Sequence, residues 1–204
     1  MIDATTARRM IAALLLFGLG SVPAAAEPAQ YEVDPDHFSI GFLVDHAGYG
    51  KVLGMFLEGS GSFTFDEDAR TLSDVRIVIR TESVFTNHEK RDDHLRSPDF
   101  LNADEFPEMV FAAPGGTATG DRTGRIDGTL TLLGVSQPVS LDVTWNKSAE
   151  YPFGGGLFSD KPYVTGISAR GRFKRSAFGM TYGIDGDLVG DDVELILELE
   201  AQRK

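Results

Sequence analysis

The sequence predicts an all-β protein, a barrel or sandwich of about eight strands, and three features carry that prediction. Apolar residues recur at every second position in segment after segment. The segments are separated by turn residues at the spacing of an antiparallel protein. Glycines also fall within or beside the segments, at Gly48, Gly50, Gly54, Gly59, Gly61, Gly166 and Gly171, where they mark bulges and sharp bends. Strongly bent strands favour closure.

In chain order, residues 1–26 come first and have the three parts of a secretory signal. Arg8 and Arg9 give a basic start, Ile11–Leu19 an apolar run too short to span a bilayer, and Ala24-Ala25-Ala26 a small-residue cleavage site. The pair Arg8-Arg9 also suggests a twin-arginine signal, but its neighbours Ala7, Met10 and Ile11 fit that pattern poorly. Cleavage after Ala26 and export are expected, leaving residues 27–204 as one domain without repeats or low-complexity linkers. Losing Arg8, Arg9 and Asp3 takes the net charge from −12 to −13. Such a surface repels nucleic acid and anionic phospholipid alike. There is no cysteine, which excludes disulfide staples and thiolate chemistry.

The first strand shows Phe38, Ile40, Phe42 and Val44 alternating with Ser39, Gly41, Leu43 and Asp45, and His46 falls in phase with the apolar set. A second apolar segment runs from Val52 to Phe65 and contains Phe56 and Phe63. Val75, Ile77 and Ile79 mark the next strand, and Met109 with Phe111 a shorter one after Pro107. Ile126, Gly128, Leu130 and Leu132 lead through the turn 134–138 into Val139, Leu141, Val143 and Trp145, a predicted hairpin. Tyr163–Phe173 follows. In the last strand Val193, Leu195, Leu197 and Leu199 form an apolar face opposite Glu194, Glu198 and Glu200.

One region, around 87–102, breaks the period of two and is predicted to be helical. Thr86 is placed to N-cap it, with Glu89 completing a capping box, and Ser97-Pro98-Asp99 offers a second helix start. Its run NHEKRDDH looks like a damaged zinc site, yet the geometry is wrong for a zincin. His88 and His94 are six residues apart, so at about 100° per residue they point about 120° away from one another, whereas the zincin histidines share a face. No metal is expected, although a composite site with His37 or His46 is conceivable from sequence alone. No G-x-S-x-G elbow is present, and the triple glycine 154–156 lacks the G-K-[ST] ending of a phosphate loop. Paired carboxylates such as Asp92-Asp93 and Asp104-Glu105 carry little information in so acidic a chain.

The stretch Thr86–Asn102, ending at Phe106-Pro107, resembles the signature of the YceI-like polyisoprenoid-binding proteins. Supporting resemblances are His37–His46, Val52–Phe56, Gly61–Asp66, Leu130–Val135, Tyr151–Gly155 and the acidic last strand. The resemblance implies an eight-stranded antiparallel lipocalin-like barrel with a short helical segment, spanning residues 27–204. It also implies a periplasmic protein that holds a long isoprenoid (polyprenyl or quinone-like) or similar amphiphile inside, with no cofactor besides that lipid and no established reaction. It makes inward residues the ligand contacts: Phe38, Ile40, Phe42, Val44, His46, Phe56, Phe63, Val75, Ile77 and Ile79. A solid barrel core would show the same alternation. Competing functions are an enzyme that modifies an isoprenoid head group and a low-selectivity scavenger of amphiphiles under stress. Stable membrane insertion and nucleic-acid binding are not expected, and the oligomeric state is open, a dimer included. Tyr151-Pro152-Phe153 suits either an apolar flap at the mouth or a turn on the barrel rim. Two departures stand out: Ala177 where the family often has an acidic residue before Phe178-Gly179, and a long run from Leu157 to Pro162.

Overall fold

The computed structural model describes residues 27–154 and 160–204, so the signal segment, Gly155 and Gly156 of the triple glycine, and the first half of the run Leu157–Pro162 lie outside it. The strands are β1 (Ala29–His46), β2 (Gly50–Phe56), β3 (Gly59–Asp66), β4 (Thr71–Arg80), β5 (Val84–Phe85), β6 (Glu108–Ala118), β7 (Thr123–Leu132), β8 (Val135–Glu150), β9 (Tyr163–Lys174) and β10 (Val189–Arg203). One α-helix is found among the described residues, α1 (Glu89–Arg96), between β5 and β6. Neighbours pair in the order β10-β9-β8-β7-β6-β4-β3-β1, and β1 pairs with β10 to close the ring into an eight-stranded antiparallel barrel. Short β2 and β5 prolong the wall at one end: β1 pairs with β3 through Ala29–Glu32 and with β2 through Ile40–His46.

β1 starts nine residues before the predicted Phe38, and the reason for the difference is a change of phase. Tyr31 and Val33 are buried, then Ile40 and Phe42, so the inward parity flips across Asp34-Pro35-Asp36. Against β10 the register runs from Val33↔Ala201 to Phe38↔Leu199, which leaves three extra residues on β1. An odd insertion turns every later side chain to the other face. The predicted segment Val52–Phe65 is likewise divided at Leu57 and Glu58 into β2 and β3.

The end of the barrel near Tyr31 is filled by rings. Tyr31, 1% exposed, stacks on Phe63 with centroids 5.5 Å apart, and Phe65 meets Trp145 edge-on at 5.4 Å. The Tyr31 hydroxyl donates to Glu67 Oε1 at 2.7 Å and the Tyr163 hydroxyl to Glu67 Oε2 at 3.1 Å, tying the β3–β4 turn to β1 and β9. Burial first, then the hydrogen bond to Glu67 and its charge, raise the Tyr31 phenol well above its ordinary pKa of 10.0, and burial with Glu67 acts the same way on Tyr163. A raised folded-state pKa means stability that is whole below about pH 10 and is lost above it, because the unfolded chain ionises first. Tyr31→Phe should therefore cost about 1 kcal/mol at pH 8 for its hydrogen bond and lose less stability than wild type between pH 10 and 11. Urea midpoints that fall in parallel across that window would contradict this.

Candidate functional site

Between β4 and β6 the chain leaves the barrel wall, crosses one end and returns. Thr81, fully buried, closes the neck of this lid: its N–H donates to Pro107 O at 3.1 Å and its hydroxyl to Phe106 O at 2.7 Å. The lid holds the predicted helical segment as α1 followed by consecutive turns through Leu101. Its N-cap is His88 and not Thr86; the His88 Nδ1 accepts the Arg91 N–H at 3.3 Å. Thr86 is buried and taken up elsewhere. Its N–H and hydroxyl both donate to the buried Asp92 carboxylate, at 2.8 and 2.5 Å, while Arg91 Nε donates to the same hydroxyl at 2.7 Å. A side chain that must satisfy a buried carboxylate cannot also reach the end of the helix. Arg96 completes the fastening by donating to Glu82 O and Val84 O, which straps α1 onto β5.

Beneath the lid is a cavity of about 260 Å³. Its wall is almost wholly apolar, and its extent is set by layers of inward residues. Along β1 the lining takes Phe42, Val44 and His46 and stops above Ile40. Along β10 it takes Val193 and Leu195 and stops above Leu197. Met109 on β6 and Leu132 on β7 belong to it, whereas Phe111 and Leu130, two residues deeper, do not. The roof is Leu95, Phe100 and Leu101 from the lid.

Of the predicted ligand contacts, then, Phe42, Val44, His46 and Phe56 border the cavity. Ile40, Phe63, Val75, Ile77 and Ile79 are buried in the core and do not border the cavity, Ile79 even though it pairs with the lining residue Met109, and Phe38 packs against that core from its edge. His46 is exposed at the outer lip. Tyr151, Pro152 and Phe153 lie away from this cavity, where Tyr151 contacts His37 and Phe153. The sequence reading missed the lid residues, and with them the connection from Arg175 to Val189. Only the long excursion between two paired strands, carrying Leu95, Phe100 and Leu101 with no strand to join, signalled that apolar lid.

The polar groups that line the cavity are Arg91, His94, Arg175 and Tyr182, with Asp45 beside His46. His94 meets Phe100 edge-on at 5.0 Å and Tyr182 at 4.9 Å, and its Nε2 lies 2.9 Å from Asp99 Oδ2. Arg175, 1% exposed, sits 5.8 Å over the Phe100 ring. Its hydrogen bonds all run to backbone carbonyls, of Gly190, Met180, Tyr182 and Val189, at 2.7 to 3.0 Å. Burial lowers its pKa, and the charge of nearby Asp191 partly opposes that. Among the described residues no group of three or more His, Asp or Glu side chains could hold a metal, and no helix is long and apolar enough to cross a membrane.

A closed antiparallel barrel that keeps an apolar chamber beneath a helical lid is a lipocalin-like protein. More narrowly, the chain belongs to the YceI-like domain family, whose pattern it matches over residues 31–201. It is 37% identical over 190 residues to Protein YceI of Salmonella arizonae, covering 92% of each chain. The YCEI protein structure from Campylobacter jejuni is 31% identical and superposes with a TM-score of 0.65, covering 75% of this chain and 85% of that one. A polyisoprenoid binding domain from Saccharophagus degradans has a TM-score of 0.62 over 87% of this chain and 100% of its own; at 15% identity the likeness concerns the fold alone.

Proposed function

We propose that the protein is a periplasmic carrier, released from its signal after Ala26, that encloses the apolar chain of an isoprenoid amphiphile. The observation that supports this most is the chamber itself: about 260 Å³ of apolar space kept open beneath the lid. The polyisoprenoid binding described for the Saccharophagus degradans domain points the same way. We assign Phe42, Val44 and Phe56 to the tail and His46 to the polar end.

Size limits what the chamber holds. An apolar cavity of about 150 Å³ takes one benzene, so 260 Å³ has room for about ten carbon atoms, or about two isoprene units. At about 0.8 kcal/mol per CH₂ that chain gains about 8 kcal/mol. Association itself costs about 4–15 kcal/mol. A short chain therefore binds weakly, and a tight ligand has a longer tail that opens the layer beneath or lies partly under the lid.

The test is to express the full chain in a Gram-negative host, recover the periplasmic fraction and record native mass spectra. The expected result is a protein beginning at Glu27 that carries an isoprenoid adduct, removed by organic extraction. A lipid-free protein, or one retaining Met1 on membranes, would reject the proposal.

A further inference from the structure

The cavity owes its width at the β1–β2 corner to a missing side chain. Phe42 and Gly54 are directly paired across β1 and β2. The Phe42 ring lies flat on the Gly54 backbone: a Cβ there would overlap the ring Cζ and stand 2.6 Å from both Cε atoms. Real Cβ contacts are not that short, so any side chain at Gly54 must push the ring off β2. The ring lies 5.5 Å from that of Phe56, tilted 45° to it, borders the chamber and is already buried. The open side is the chamber. Gly54 needs no unusual backbone angle, for it sits in regular strand pairing with φ outside the left-handed region. Close approach is what the glycine provides here.

We propose that Gly54 is a specificity-determining position, which sets how much tail the chamber accepts by parking the Phe42 ring against the wall. This rests on the chamber being the tail site. With a β-carbon at 54, the ring moves inward and takes space that the end of the tail would fill. With a smaller residue at 42, the identity of residue 54 ceases to matter. Residues 42 and 54 thus act as one ruler, although residue 54 never touches the ligand.

The experiment measures binding of two prenols, geraniol with two isoprene units and farnesol with three, by isothermal titration on the extracted mature protein. Gly54→Ala should weaken geraniol binding by about tenfold, the loss of one to two methylenes' worth of contact. Phe42→Leu should bind farnesol more tightly relative to geraniol than wild type does. Adding Gly54→Ala to Phe42→Leu should change neither prenol's affinity. If wild type binds neither prenol, the chamber is not a tail site and the ruler falls with it, while the carrier reading is judged separately by the native adduct. If wild type binds but Gly54→Ala binds equally well, the ruler is wrong. Should Gly54→Ala fail to fold, the pair in the Phe42→Leu background decides: a further tenfold loss there would mean that Gly54 acts other than through the ring, and overturns the proposal.

Discussion

Arg175→Met should destabilise the protein by about 3 kcal/mol or more, since several buried carbonyls lose their donor at about 1–3 kcal/mol each, and Arg175→Lys should recover little of it. Arg175 is the largest of the fully buried side chains, and its planar fork reaches four carbonyls, those of Met180 and Tyr182 in the connection between β9 and β10 and those of Val189 and Gly190 at the start of β10. Without it, those carbonyls keep no side-chain donor, and each unsatisfied one costs about 1–3 kcal/mol before water re-enters. Lysine carries the charge but only three donors on a point, so it cannot span Gly190 O and Met180 O together. The nearest carboxylate, Asp191, does not substitute as a support: it accepts from the Ser176 N–H and hydroxyl and from Lys174. Burial raises the Asp191 carboxyl, yet those donors hold it below its ordinary pKa. Because Arg175 also underlies Phe100, the methionine variant should lose the roof of the cavity together with stability. Urea unfolding gives the first quantity and prenol titration the second. A variant within about 1 kcal/mol of wild type would show that water replaces the guanidinium without strain.

That arginine illustrates what the sequence could and could not reveal. Alternation in β1, β4, β7, β8 and β10 exposes the inward face, because in a barrel one face must be apolar and the period of two is visible to the eye. The bent, glycine-bearing strands favoured closure while leaving a sandwich open, and the closed eight-stranded barrel followed from the family resemblance. Depth was not legible. Val75 and Ile79 alternate as cleanly as Val44, but only Val44 reaches the chamber, since a strand's pattern says which way a side chain points and nothing about whether its neighbours fill the space. The Asp34-Pro35-Asp36 bulge hid Tyr31 and Val33 by reversing the phase. Thr86 carried a capping-box pattern that tertiary contacts overrode, since Asp92, six residues on, is buried and claims both its donors. A buried arginine bonded to main-chain oxygens leaves no periodic trace at all, and only the departure at Ala177, before Phe178-Gly179, marked its neighbourhood.

Two tryptophan substitutions should differ in sign because of that difference in depth. Val193 and Ile40 are both inward, buried and apolar, and on sequence grounds Ile40→Trp was the natural way to fill a tunnel. Ile40, 2% exposed, instead lies in the layer below the cavity floor and packs so closely on Gly59 that a Cβ there would stand 2.5 Å from its Cδ1. A larger side chain has nowhere to go, so Ile40→Trp should cost about 1–3 kcal/mol or more by overpacking. Val193, opposite Val44 in the ladder, borders the 260 Å³ chamber. There the added ring gains contacts that empty space denied, and Val193→Trp should melt no lower than lipid-free wild type while losing most of its prenol binding. Thermal unfolding of extracted proteins and titration with farnesol measure the two effects independently. If Ile40→Trp is tolerated as well as Val193→Trp and also expels ligand, the tail path runs through the packed layer and the chamber is only its upper part. If both are severely destabilised, the chamber is too rigid to accept a ring, and a flexible tail would be held there more weakly than its area suggests.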